Sequence, residues 1–156
     1  MPPPSRQRRP SLWLDIQVGA GLRHAPIERG RLRRLALAAL ERDASLTVRF
    51  VGEAEGRDLN HRYRGRDRAT NVLTFPYDSP GRLEADIVIC MPVVRREAHA
   101  QRKRVEDHLA HLLVHGVLHA QGHEHEDDDE ARRMEAMEVA ILRRFRIADP
   151  YAEPDP

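Results

Sequence analysis

Six of the chain's nine histidines fall in one stretch, His108 to His125, which reads HLAHLLVHGVLHAQGHEH. Within it lies His115-x₃-His119-x₅-His125, with Gly116 after the first histidine and Gly122 before the last. Residues four apart share a face of a helix, so His115 and His119 can aim two imidazoles at one point. Gly122 is placed to end that helix, because glycine takes the left-handed conformation at little steric cost. The chain can then turn and bring in His125 as a third ligand. Three histidines on a tetrahedral ion such as zinc leave one position open for water or substrate.

Two plainer readings compete with a metal site. A histidine-rich run can be a low-complexity tract. Leu112, Leu113, Val114, Val117 and Leu118 argue otherwise, since they give this stretch the composition of a buried helix. Single histidines on an apolar face are usually satisfied core residues, but several imidazoles in one buried helix need partners, and a shared metal ion supplies one for three of them. Imidazole also suits nickel, copper and iron, so one zinc ion is expected with another divalent transition metal as the alternative. A metal lowers the pKa of bound water from about 16 toward about 7 and polarises a carbonyl or phosphoryl oxygen, which is hydrolytic chemistry. The nearest general template is the His-Glu-x-x-His helix of metalloproteases, whose glutamate is the base. Gly116 stands where that glutamate would be, which argues against peptide hydrolysis by that route.

Such a site needs a scaffold, and 156 residues suffice for one domain with one core. The N-terminus, MPPPSRQRRP, is basic with no apolar run behind it, unlike a secretory signal. No run approaches the roughly 20 apolar residues of a membrane span. The single cysteine, Cys90, excludes an internal disulfide and fits a cytoplasmic setting. The net charge of +1 hides a dipole: residues 1–104 hold 21 Lys/Arg against 12 Asp/Glu, and residues 105–156 hold 5 against 13. The basic part suggests an anionic partner, with nucleic acid foremost. All but one of the 26 basic residues are arginine, whose planar fork suits phosphate, although codon bias accounts for arginine richness equally well.

The hydrophobic pattern predicts strands over Leu12–Val18, Leu46–Val51, Asn71–Phe75 (closed by Pro76) and Ala85–Cys90, the last nearly all apolar and so central. Helices are predicted over Ile27–Arg42, Ala54–Arg62, Pro92 to about Lys103, about Glu106 to Gln121, and from the acidic run at Asp127 onward. That run complements a helix dipole, and Met134, Met137, Ile141 and Phe145 form the helix's apolar stripe. Arg64-Gly65-Arg66-Asp67 reads as a loop and Asp78-Ser79-Pro80-Gly81 as a turn. The expected fold is α+β: a four-stranded mixed sheet with about five packed helices and a zincin-like metal site at the end of a central helix. Residues 1–10 are expected to be a disordered basic tail, 11–148 a single domain and 149–156 a loose C-terminal tail.

Three segments together resemble the YbeY endoribonucleases, bacterial rRNA maturation factors. HGVLHAQGHEH, residues 115–125, is similar to that family's His-Gly-x-Leu-His-x-x-Gly-Tyr-Asp-His signature. LNHRYRGRDRATNVLTFP, residues 59–76, is similar to its Leu-Asn…Tyr-Arg-Gly…Thr-Asn-Val-Leu-Ser-Phe-Pro block, and ADIVIC, residues 85–90, to its Gly-Asp-Ile strand. The resemblance spans about residues 12–147. It implies a single-strand-specific, metal-dependent endoribonuclease acting in late 16S rRNA 3′-end maturation and ribosome quality control. The expected partners are single-stranded RNA, the 16S rRNA precursor and ribosomal particles, with neither DNA nor membrane. His115, His119 and His125 hold the family's ligand positions, and Arg64 matches its functional arginine.

An arginine beside a metal can bind phosphate bidentately and stabilise transition-state charge; the plainer role for Arg64 is a loop ion pair with Asp67. Arg62, Arg66 and Arg68 are expected to hold the phosphate backbone alongside it. Thr70 and Asn71 are expected to fix the start of a strand by local hydrogen bonds. Asp86 is placed either to orient a ligand histidine or to cap backbone. The sequence departs from the family at His123 for tyrosine, Glu124 for aspartate and Ala85 for glycine. His123 is thereby a rival to His125, while His108 and His111 extend the helical stripe as supporting residues. Seven aromatic residues leave little for base stacking, so weak sequence preference is expected. Two other classes stay open: a ribosome-assembly factor with a structural metal, and a metal-dependent hydrolase of another substrate.

Overall fold

In the computed structural model, which describes residues 8–152, nine elements follow one another as βαβαββααα. They are β1 (Leu12–Val18), α1 (Arg29–Ala39), β2 (Ala44–Val51), α2 (Glu53–Arg64), β3 (Val72–Tyr77), β4 (Leu83–Cys90), α3 (Met91–Ala100), α4 (Val105–Ala120) and α5 (Asp128–Arg144). The strands form one mixed sheet in the order β1-β2-β4-β3. β1 and β4 both run parallel to β2, while β3 pairs antiparallel with β4. This is the α+β architecture that the sequence pattern predicts, with β2 sharing the centre with β4.

Two apolar layers hold the sheet. Phe50, Leu46, Ile87 and Ile89 on one face pack with Leu32 and Leu35 of α1, Leu109, Leu113 and Leu118 of α4, and Leu142 of α5, all nearly inaccessible to solvent. The smaller layer on the other face joins Val51, Leu73, Val88 and Cys90 to Leu59 of α2. Alternation along β3 serves both faces, because successive side chains of a strand point oppositely. Helix α4 is apolar around most of its circumference, as a helix packed between neighbours must be, and it is in contact with α1, α3, α5 and two strands.

Several boundaries differ from the sequence reading. Helix α1 ends at Ala39, where Leu40 turns extended with its N–H still bonded to the Ala36 carbonyl. Helix α3 stops at Ala100, and Arg102 in the left-handed region (φ 56°) makes the break. Helix α2 runs on to Arg64, so this arginine is the helix's last residue and not a loop residue; Gly65 (φ 68°) provides the left-handed cap. β3 continues through Pro76 to Tyr77, which a proline permits because β3 is an outer strand. The acidic run caps α5: the Asp127 side chain accepts from the Glu130 N–H at 2.8 Å. The tail expected at 1–10 lies outside the described residues as far as residue 7. At the other end the chain is anchored by Tyr151, whose hydroxyl donates to the buried carboxylate of Glu138.

Candidate metal centre and RNA cleft

Helix α4 presents His108, His111, His115 and His119 along one side, and the turn at Gly122 (φ 96°) folds His125 back toward its last turn. The ring centroids of His115, His119 and His125 are separated by 6.3, 5.6 and 5.9 Å. Three imidazoles on a tetrahedral zinc at a bond length of about 2.0–2.1 Å have centroids about 5.2 Å apart. The rings thus stand wider than a closed site by a few tenths of an ångström to about 1 Å. Among the described residues no set of three side chains is already at ligand distance.

The hydrogen bonds behind the rings test whether they suit a metal. The Nδ1 of His115 lies 2.6 Å from Oε1 of Glu138, and the Nδ1 of His119 lies 3.2 Å from the carbonyl of His123. A carbonyl and an ionised carboxylate can only accept, so both Nδ1 atoms carry the proton. The lone pair is then on Nε2 in each ring, which is the atom a metal takes when Nδ1 is tied behind. The donor set fits a divalent transition metal. The side chains of His115 and His119 are about one-quarter exposed, so solvent and substrate reach them.

Glu138 is the residue the sequence reading missed. It is fully buried in α5 and accepts from His115, from Nε2 of His111 at 3.1 Å, and from the Tyr151 hydroxyl. Burial pushes its carboxyl up, but the bonds from His111, His115 and Tyr151 outweigh that and hold the pKa at about 2. The signal was present: Glu138 interrupts the Met134, Ile141 stripe as its one charged member. His111 therefore supports the centre through Glu138. His108 donates through Nε2 to Glu97 at 2.9 Å, and Glu97 also accepts from the Asn71 amide at 3.0 Å.

His123 and Asp86 each have a partner away from the three imidazoles. His123 points away from the centre, its Nε2 2.7 Å from Glu41 on the segment after α1. Its backbone carbonyl, and not its ring, faces the site. Asp86 neither orients a histidine nor caps backbone: it accepts from the Tyr77 hydroxyl at 2.5 Å across the β3–β4 pair. Asn71 does fix the start of β3, where its Oδ1 accepts from the Val72 N–H at 2.6 Å.

The three imidazoles form one wall of a cleft of about 450 Å³. Asn60, Arg64, Arg66, Arg68 and residues 70–74 line the rest of it. Among the described residues no carboxylate lines it. The Asp67 carboxylate is taken by Arg57 through two bonds of 2.8 and 2.9 Å, which leaves Arg64 to face the cleft, touching only the Thr74 carbonyl at 3.5 Å. The electrostatics thus favour an anion lying across three arginines beside the imidazoles.

Comparison with known proteins agrees with this reading of the chain. The family described as Endoribonuclease YbeY matches residues 29–146. A relative of that name from Bordetella petrii is 55% identical, over 92% of this chain and 99% of its own. Another from Aromatoleum aromaticum is 53% identical, over 92% and 94%. A protein of Thermotoga maritima solved in solution aligns over 92% of this chain and 97% of its own, with a TM-score of 0.56 at 25% identity. With the family matched over most of its length, and relatives above half identity, the chain belongs to the YbeY endoribonucleases.

Proposed function

We propose that the arginine-lined cleft is where this endoribonuclease of rRNA processing cuts single-stranded RNA, with His115, His119 and His125 holding one divalent metal, zinc foremost. The observation that carries this reading is a cleft lined by three imidazoles and three arginines, with no carboxylate among the described residues. When bound, the metal supplies Lewis acidity toward a phosphoryl oxygen and a water of lowered pKa. The protein's own contribution is positional. Glu138 and the His123 carbonyl hold two rings in the tautomer that exposes Nε2. Arg64 engages the scissile phosphate and offsets charge that grows in the transition state. Arg66 and Arg68 keep the backbone in register, without reading sequence.

A purely structural metal would be closed by four protein ligands. The His123 ring, the rival ligand, is held by Glu41 instead. That favours a catalytic role over assembly alone. The role extends to late 3′-end maturation of 16S rRNA and ribosome quality control on ribosomal particles, in the cytoplasm. In keeping with this, no helix among the described residues is long and apolar enough to cross a membrane, and the one cysteine is buried and unpaired.

The test is cleavage of a labelled single strand, with the matching duplex as control, by wild type, His119→Ala and Arg64→Glu. Wild type cuts the single strand, and both variants lose at least tenfold. Equal residual cleavage by all three would identify a contaminating nuclease and overturn the assignment.

A further inference from the structure

Beside the cleft, on the outer edge of the sheet, three aromatic rings stand together. Phe75 and Tyr77 share the α2-facing side of β3, since alternate residues of a strand point the same way. Tyr63, in the last turn of α2, meets Phe75 edge to face with ring centroids 5.2 Å apart. Tyr63 is 62% exposed and Tyr77 53% exposed. Both rings are nevertheless held in place. Phe75 braces Tyr63, and the Tyr77 hydroxyl donates to Asp86 at 2.5 Å. That hydroxyl is pushed up to about 12, chiefly by this bond, then by burial, by the Asp86 charge and by nearby Tyr63. Rigid, half-exposed rings that need little further ordering make good stacking surfaces.

Their location gives the exposure a meaning. The residue after Tyr63 is Arg64, which lines the cleft with Arg66 and Arg68 and reaches the carbonyl of Thr74, the neighbour of Phe75. A strand whose phosphates lie along these arginines brings its bases within reach of the rings. We propose that Tyr63 and Tyr77, braced by Phe75 and Asp86, form a shelf on which unpaired bases stack as the strand crosses the cleft. The proposal rests on the RNA-cutting reading above. It also supplies a physical source of single-strand preference, because a duplex has its base faces already stacked and offers none to the shelf. Aromatic contacts are thus available despite the low aromatic content, concentrated at one place.

The test uses the zinc-loaded full chain and two fluorescein-labelled probes of equal length, checked intact on a gel. One is a single-stranded RNA, the other an abasic ribose–phosphate strand. Tyr63→Ala and Tyr77→Ala should each weaken binding of the RNA about five- to a hundredfold and leave the abasic strand unaffected. Tyr63→Phe keeps the ring and should stay within twofold. The salt dependence should not change in the tyrosine variants, since no phosphate contact is removed. Trp13→Ala is the control, as Trp13 is 61% exposed on β1 at the opposite edge of the sheet. Thermal melts establish that each variant is folded. Folded tyrosine variants that bind the RNA as wild type does, or that lose the same factor on the abasic strand, would overturn the shelf alone. So would a wild type that binds both probes equally. A wild type that binds neither would overturn the RNA-cutting reading along with it.

Discussion

Glu138 stands behind His115 in the candidate metal centre, and Glu138→Gln isolates its role. The side chain is fully buried and accepts three hydrogen bonds, from His115 and from the His111 and Tyr151 pair. Each bond to a charged acceptor is worth about 1.5–3 kcal/mol, against about 1 kcal/mol for a neutral one. Glutamine keeps the volume but turns one acceptor into a donor. Facing the amide nitrogen toward His115 loses one bond and weakens two. Facing it the other way loses two. Since a neutral amide costs less to bury than a carboxylate, the net loss falls near about 3 kcal/mol, the lower end of what breaking a buried ionic contact costs. For a domain of this size that is a fall in Tm of about 6–12 °C. With the His115 tautomer no longer dictated, zinc affinity should drop about 10- to 100-fold. Melts in chelator give the first number, and competition against a chromophoric zinc chelator gives the second. A variant that is destabilised yet binds zinc within twofold of wild type would show that Glu138 holds the fold but does not orient His115. A chelator melt within 2 °C of wild type would refute the energetic argument.

Three further outcomes follow from the geometry. Arg64→Gln should lower the slope of log K against log salt for single-stranded RNA by about 0.7, with Tm unchanged because Asp67 is paired with Arg57; an unchanged slope would remove the phosphate role. His123→Ala should leave zinc affinity within twofold and cost under about 1 kcal/mol, because it deletes only a partly exposed contact with Glu41; a large loss of zinc would reinstate the ring as a ligand. Tyr77 contributes stability through a raised pKa, so that contribution is whole below pH 10 and is lost as pH climbs through about 12. Ultraviolet titration should show one tyrosine ionising near 12, and Asp86→Asn should bring it back toward 10.

The parts of the site visible in the sequence are those built from local spacing. His115, His119 and His125 belong to one helix and its exit turn, so 3.6-residue periodicity and one glycine suffice to bring them together. Arg64 was visible only as a motif match, and its helix was read two residues short because Gly65 could equally be part of a loop. What stayed hidden depends on contacts between distant elements. Glu138 reaches His115 only once α5 packs on α4, and in the sequence it looks like a flaw in an apolar stripe. Tyr151 lies in a stretch whose prolines suggest a loose tail, yet its hydroxyl completes the set around Glu138. The partner of Asp86 could not be read because it depends on β3 continuing past Pro76, which in turn depends on β3 being an outer strand.

Gly116 shows how packing and chemistry constrain each other. From the motif alone, it is a missing base. In the fold it is a contact point: a Cβ there would sit 3.2 Å from Cγ2 of Ile87 and 3.5 Å from Oγ1 of Thr74. Helix α4 lies against β4 and β3 at this place. A larger side chain at 116 would press on Ile87, which is fully buried, and a carboxylate beside it would be costly to desolvate. Packing at this position therefore opposes the metalloprotease arrangement along with residue identity. The same close approach brings the imidazoles to the β3 edge and to the arginines across it. With a glycine there, helix α4 lies close against β4 and β3, and its histidines and Arg64 line one cleft.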